Sequence, residues 1–202
     1  MSNLAPHTQT HASHQAEADD RTYFGFWVYL MTDLLMFAVL FAVYAVLRNS
    51  TAGGPTGEEL FTPKLALAGT LLLLTSSFTC GIGMIAARRN QVSQVMIWFG
   101  ITFLLGLAFL GLEIYEFAEL IHEGHTLRNS AFLSAFFVLV GTHGLHITSG
   151  LLWLSITLAF IKKRGLNSFM VRKLGLLSLF WHFLDIVWIF IFTVVYLMAF
   201  TK

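Results

Sequence analysis

The chain has 202 residues, 56% hydrophobic and 11% charged, with a formal net charge of +1. Charged residues make up about 25% of ordinary soluble domains, so a soluble globular protein of this size is excluded, and nothing in the charge balance points to nucleic acid. One cysteine, Cys80, rules out an internal disulfide and any cysteine-based zinc or iron–sulfur centre. It falls within an apolar run and reads as a small packing residue.

Residues 1–22 are polar and carry His7, His11 and His14. They lack the apolar core of a signal peptide and read as a disordered tail. The loose histidine spacing makes weak metal binding the lesser alternative. Five apolar stretches follow: Phe24–Leu47, Leu65–Ala87, Val95–Ala118, Ala131–Ile161 and Leu174–Phe200. Each reaches the roughly 20 residues that cross a bilayer as a helix. The expectation is an all-α, polytopic bundle of five transmembrane helices over residues 23–202. Pro6, Pro55 and Pro63 all lie outside the spans, so proline breaks none of them. The fourth span is long enough that it must tilt or project from the membrane.

Lys and Arg set the expected orientation. With five spans, Arg21, Arg88, Arg89, Lys162, Lys163, Arg164, Arg172 and Lys173 share one side, against Arg48, Lys64, Arg128 and Lys202 on the other. The richer side is read as cytoplasmic, placing the N-terminus inside and the C-terminus outside, in the periplasm of a Gram-negative cell. The outer segment Thr51-Ala52-Gly53-Gly54-Pro55-Thr56-Gly57 predicts an irregular turn. It is no phosphate loop, because no Gly-Lys-Ser/Thr follows it. Small residues predict close helix approach: Ser76, Cys80, Gly83 and Ala87, with Ser77 and Gly81 beside them, in the second span, and Gly141, Gly144 and Thr148 in the fourth.

Ionisable residues inside four of the spans are the candidate functional groups. They are Asp33 in the first, Glu113 and Glu116 (then Glu119) in the third, His143 and His146 in the fourth, and His182 and Asp185 in the fifth. An acid at the bilayer centre opposes insertion by about 2.5–3.5 kcal/mol. Such residues therefore face the bundle interior, pair with one another, or line a water or substrate path. Interior ties between helices, a lipid-headgroup or proton-path site, and a metal site built from the two His-containing pairs are all open on these residues alone. Asp33 stands alone in its span, so its partner is expected from another helix or from water; it is either a satisfied interior acid or one that exchanges protons. The partner of Asp185 is expected on the fourth span. Glu119-x-x-His122 has the spacing of a di-iron motif, but that site needs two such motifs and two more glutamates. Trp181 and Trp188, seven residues apart on nearly the face of Asp185, could pack around it or donate indole N–H bonds. Tyr23, Trp27 and Trp98 read as interfacial anchors.

Four stretches carry a resemblance: Trp27-Val28-Tyr29-Leu30-Met31-Thr32-Asp33-Leu34-Leu35-Met36-Phe37, Leu112-Glu113-Ile114-Tyr115-Glu116-Phe117, Gly141-Thr142-His143-Gly144-Leu145-His146 and Trp181-His182-Phe183-Leu184-Asp185-Ile186-Val187-Trp188. In that order, from about residue 23 to the end, they resemble subunit III of the haem–copper respiratory oxidases. The length and the Gly53-Gly54-Pro55 loop look most like the cytochrome bo-type ubiquinol oxidases. The resemblance implies a non-catalytic integral subunit of a proton-pumping ubiquinol oxidase. Haems and copper are then carried by partner subunits, bound phospholipid is expected, and roles in stability, oxygen access or proton uptake follow. No metal or catalytic centre is expected in this chain. Seven-span members carry two additional N-terminal helices not seen here, and the span-one acid, commonly glutamate in the family, is Asp33. Other readings are an accessory subunit of a related cytochrome c oxidase or nitric oxide reductase, and a small proton-coupled transporter. The last sits poorly with unbroken helices and no visible repeat.

Overall fold

The computed structural model describes residues 6–54, 57–60 and 63–200, and side chains from residue 20 onward apart from those of residues 58, 59 and 63. The elements are α1 (Pro6–Leu47), α2 (Gly57–Leu60), α3 (Pro63–Arg88), α4 (Val92–His122), α5 (Ala131–Arg164) and α6 (Ser168–Ile191), the last continuing into a π-helical turn, Phe192–Leu197. No strand occurs among the described residues. Among the described residues, five helices are long and apolar enough to cross a membrane: Asp20–Leu47, Lys64–Arg88, Val92–His122, Ala131–Arg164 and Ser168–Leu197. The protein is an all-α, multi-pass membrane protein.

The helix ends are set by local chemistry that hydropathy does not see. Pro63 opens α3 at its first position, where a missing N–H costs nothing. Ser130 caps α5 by accepting from the Leu133 N–H at 3.1 Å. Asn167 caps α6 by accepting from the Met170 N–H at 2.8 Å. That cap starts α6 at Ser168, well before the apolar stretch at Leu174, so Arg172 and Lys173 are helical. α3 closes with paired bonds from Asn90 to Ala87 and from Gln91 to Ala86, with Asn90 left-handed at φ 57°. Gly124, at φ 85°, closes α4 by the same pattern onto Ile121 and Leu120. α5 runs 34 residues, about 51 Å at 1.5 Å per residue.

Two findings differ from composition. α1 extends back to Pro6, through a polar stretch read as a disordered tail; extending a formed helix needs no new nucleus. The side chains of His7, His11 and His14 lie outside the described ones, as do residues 1–5. The π-helical turn at the end of α6 was also unforeseen. Its wide spacing shows in the bond from the Met198 N–H to the Thr193 carbonyl, 3.0 Å. The Thr193 hydroxyl bonds back to Ile189 at 2.8 Å, a side-chain competitor inside the ladder.

The chain divides into two compact units, Met1–Leu35 and Met36–Lys202. In the second, α3 packs on α4, α4 on α5, α5 on α6 and α6 back on α3. These four helices close a ring, and the end of α1 joins them through Phe41 on Phe190 and Tyr44 on Phe132. In lipid, apolar burial does not drive helices together; close packing and hydrogen bonds do. The close contacts run through glycines. A Cβ at Gly106 would stand 2.8 Å from the Trp181 ring and 3.0 Å from Leu151, and one at Gly83 would stand 2.8 Å from Phe99. Gly111, by contrast, has nothing within 4 Å of such an atom.

Gly106→Val should therefore lower stability by about 1–3 kcal/mol through overpacking, while Gly111→Ala should leave it unchanged or raise it by up to about 1 kcal/mol. Thermal unfolding in mild detergent distinguishes the two, and equal effects would show that Trp181 does not rest on the Gly106 face.

Candidate functional site

The interior polar groups gather on the seam where α6 meets α3. Trp188 donates its indole N–H to the Thr70 hydroxyl at 3.0 Å, and Trp181 donates to Ser76 at 3.0 Å. His182 Nδ1 lies 2.5 Å from the Ser77 hydroxyl, and the Asp185 carboxyl faces the same hydroxyl. Cys80 Sγ lies 3.5 Å from Ser178. As α6 is followed backward from 188 to 178, its partners on α3 run forward from 70 to 80, as antiparallel helices require. The Ser76 hydroxyl passes the chain on to the Thr102 carbonyl of α4 at 3.3 Å, and Thr79 meets the Thr102 hydroxyl at 2.9 Å.

The expected partner of Asp185 on the fourth span is thus corrected: it is Ser77 of the second. Serine is short, so it lets α3 and α6 approach while still offering a hydroxyl. The same smallness makes Ser76 and Ser77 read as spacers in the sequence. A serine, a histidine and an aspartate in contact invite comparison with a nucleophilic triad, and the geometry rejects it. In a triad the aspartate holds one imidazole nitrogen and the serine meets the other. Here His182 and Asp185 both converge on the serine.

His143 and His146 part company. His143 is wholly buried in an aromatic cage, stacked on Trp188 at 5.3 Å with Phe109 and Phe37 edge-on at 5.9 and 6.4 Å. Neither of its ring nitrogens has a hydrogen-bond partner. His146 is half-buried and turns Nδ1 to the Thr142 carbonyl of its own helix at 2.8 Å, beside Phe37 and Phe180.

On α4, Glu113 lies against the bare backbone of Gly144, where a Cβ would stand 2.6 Å from Oε1. Both its carboxyl oxygens are buried without a protein partner. Glu116 accepts from the Tyr196 hydroxyl at 2.8 Å through Oε2. Tyr196 sits on the π-helical turn, whose altered spacing brings its hydroxyl to Glu116; nothing in the sequence pattern marks this residue. Glu119 and His122 are exposed, so the Glu-x-x-His spacing points away from the interior. Asp33, in the first unit, is buried and faces the Tyr29 hydroxyl one turn earlier on its own helix. A same-helix partner was missed because Tyr29 reads as part of the apolar span. Among the described residues, no three His, Cys, Asp or Glu side chains could hold a metal ion.

The fold and its interior define a multi-pass membrane subunit in which His182, Asp185 and Glu116 are engaged between helices. The sequence matches the family described as Cytochrome c oxidase subunit III over residues 2–200, and the chain belongs to that family, the non-catalytic third subunit of haem–copper oxidases. Redox centres in this family lie in other subunits, so other oxidase subunits are its partners. The chain is 53% identical to the cytochrome bo(3) ubiquinol oxidase subunit 3 of Pseudomonas aeruginosa, covering 92% of this chain and 89% of that protein. It is 51% identical to the cytochrome c oxidase subunit 3 of Bacillus sp. PS3, over 88% and 86% of the two chains. It is 50% identical to the quinol oxidase subunit 3 of Bacillus subtilis, over 92% and 91%.

Ser77→Ala should destabilise the protein by about 1–3 kcal/mol, because it strips a partner from two groups at once. Adding His182→Ala should cost less than the separate losses combined, with a coupling of about 0.5–3 kcal/mol. Strict additivity in denaturation of the purified complex would mean the seam is not shared.

Proposed function

We propose that this chain is the third subunit of a proton-pumping ubiquinol oxidase, seated against the large haem-bearing subunit and holding phospholipid. The observation that carries the structural part is the α3–α6 seam. It engages hydroxyls, indoles, His182 and Asp185 in holding helices together, which suits a subunit that stabilises a larger assembly. Asp33, Glu113, Glu116, His143, His146, His182 and Asp185 serve that role: they hold the fold, support retained lipid, or assist proton uptake, and none is a catalytic group. Quinol as donor rests on the similarity to quinol oxidase subunits. The comparable identity to a cytochrome c oxidase subunit supports a second reading, with cytochrome c as donor.

Support for lipid comes from an open groove of about 670 Å³ between α4 and α5, lined by Phe117, Ile121, Phe137, Val138, Gly141 and Leu145 among others. It is almost wholly apolar, and Leu127 at its rim precedes Arg128, which is exposed. That pairing suits an acyl chain with its phosphate near the arginine. The N-terminus is proposed as cytoplasmic. The basic residues of the α3–α4 turn, the end of α5 and the start of α6 share one side of a five-span topology, and Arg172 and Lys173 lie against Phe169 at 5.4 and 4.7 Å.

A tagged chain extracted in mild detergent should bring haem-containing subunits with it, and the purified complex should oxidise ubiquinol in preference to reduced cytochrome c. Recovery as a colourless single chain would overturn the assembly reading, and preference for cytochrome c would select the second donor. Asp185→Ala, His182→Ala and His143→Ala should reduce assembly or retained phospholipid more than turnover per assembled complex. An assembled, lipid-replete variant without oxygen reduction would reject the non-catalytic role. Asp33→Asn should change proton uptake or lifetime during turnover only modestly.

A further inference from the structure

A small cavity lies where α3, α4 and α6 meet, bounded by Ala66, Gly69, Phe109, Trp188, Glu113 and Glu116. Its volume is about 10 Å³, close to the least space that holds one water molecule. Glu113 is only 5% exposed, and neither of its carboxyl oxygens has a protein partner. Oε1 of Glu116 is buried and unpartnered as well.

Two donors beside the cavity are already engaged. The Tyr196 hydroxyl is held by Glu116 Oε2 at 2.8 Å, and the Trp188 indole by Thr70 at 3.0 Å. On the α5 side Glu113 lies against the backbone of Gly144. A buried polar group left without a partner costs about 1–3 kcal/mol, and three such oxygens stand on two residues lining one cavity. A water molecule has two hydrogens to donate and makes about two to four bonds when buried. A hard cation would need about six or more oxygens, and the three free carboxyl oxygens fall short of that.

We propose that this cavity holds one water molecule bonded to both Glu113 and Glu116, completing a hydrogen-bonded chain Tyr196–Glu116–water–Glu113 inside the bundle. The chain links the π-helical turn after α6 to the face of α5 at Gly144. It consists of groups that both give and accept protons, so a proton can be relayed along it without a side chain moving far.

The test uses the assembled oxidase. In a cryo-EM map that resolves ordered solvent, one water peak is expected within hydrogen-bond distance of both carboxyls. A dry cavity, a peak with metal-ion contact distances, or Glu113 bonded directly to a protein donor overturns the proposal. Ala66→Val fills the cavity and leaves both acids in place, so the peak should vanish; its persistence in that variant also overturns the proposal. Infrared difference spectra give an independent readout. A protonated-carboxyl band should shift between H2O and D2O in the wild type and be altered in both Glu113→Gln and Glu116→Gln. A band lost in one variant and untouched in the other shows that the two acids are not joined.

Discussion

The hydrogen-bonded seam between α3 and α6 is the constraint on which the rest of the second unit depends. Lipid tails are as apolar as leucine, so a membrane helix gains little by hiding leucine against another helix. Position must come from contacts that lipid cannot offer. Here those are two indole N–H groups, a histidine and an aspartate on α6, set against hydroxyls on α3. With α6 fixed on α3, Trp181 is pressed between α4 at Gly106 and α5 at Gly150, where a Cβ would stand 3.2 Å from its ring. Trp188 carries His143 of α5 stacked on its face. One helix pairing thereby locates the other two members of the ring.

Within this arrangement the acids and histidines fall into different physical situations, although the sequence presents them as one class. Asp185 and His182 have hydroxyl partners and act as ties. His146 is tied to its own helix. His143 and Glu113 are buried with their polar atoms unpaired by protein. Native interiors contain few such groups, and each needs an explanation. The distinction separates the motifs: Trp181 and Trp188 pair across the α3–α6 seam, while Glu113 borders the small cavity.

The architecture was legible in the sequence because bilayer thickness imposes a length that composition reveals directly. All five spans were found. Their ends were less so: Asn167 starts α6 several residues before hydropathy rises, and a capping asparagine carries no hydropathy signal. The polar residues that matter were visible as costly exceptions, since an aspartate in the middle of an apolar run is conspicuous. Their partners were not. Ser77 and Thr70 are too ordinary in a membrane helix to stand out, and Tyr196 reaches Glu116 only through a local π-helical turn. Donor–acceptor pairing across α3 and α6 depends on which faces meet, and one-dimensional periodicity does not determine that.

The separation along the chain between the two sides of the seam has a consequence for biogenesis. Ser76 and Trp181 are 105 positions apart, and Thr70 and Trp188 are 118 apart. At ribosomal speeds of about 5–20 residues per second, α3 waits roughly 5–24 s for the helix that completes it. Two of its threonine hydroxyls have partners on their own helix. Thr70 bonds the Ala66 carbonyl one turn back at 2.9 Å, and Thr79 bonds the Ser76 carbonyl at 2.8 Å. Each such hydroxyl spends its hydrogen locally and keeps its lone pairs available. The indole of Trp188 can then dock on Thr70 without first breaking that bond, so the seam closes when the last helix arrives without undoing contacts already made within α3.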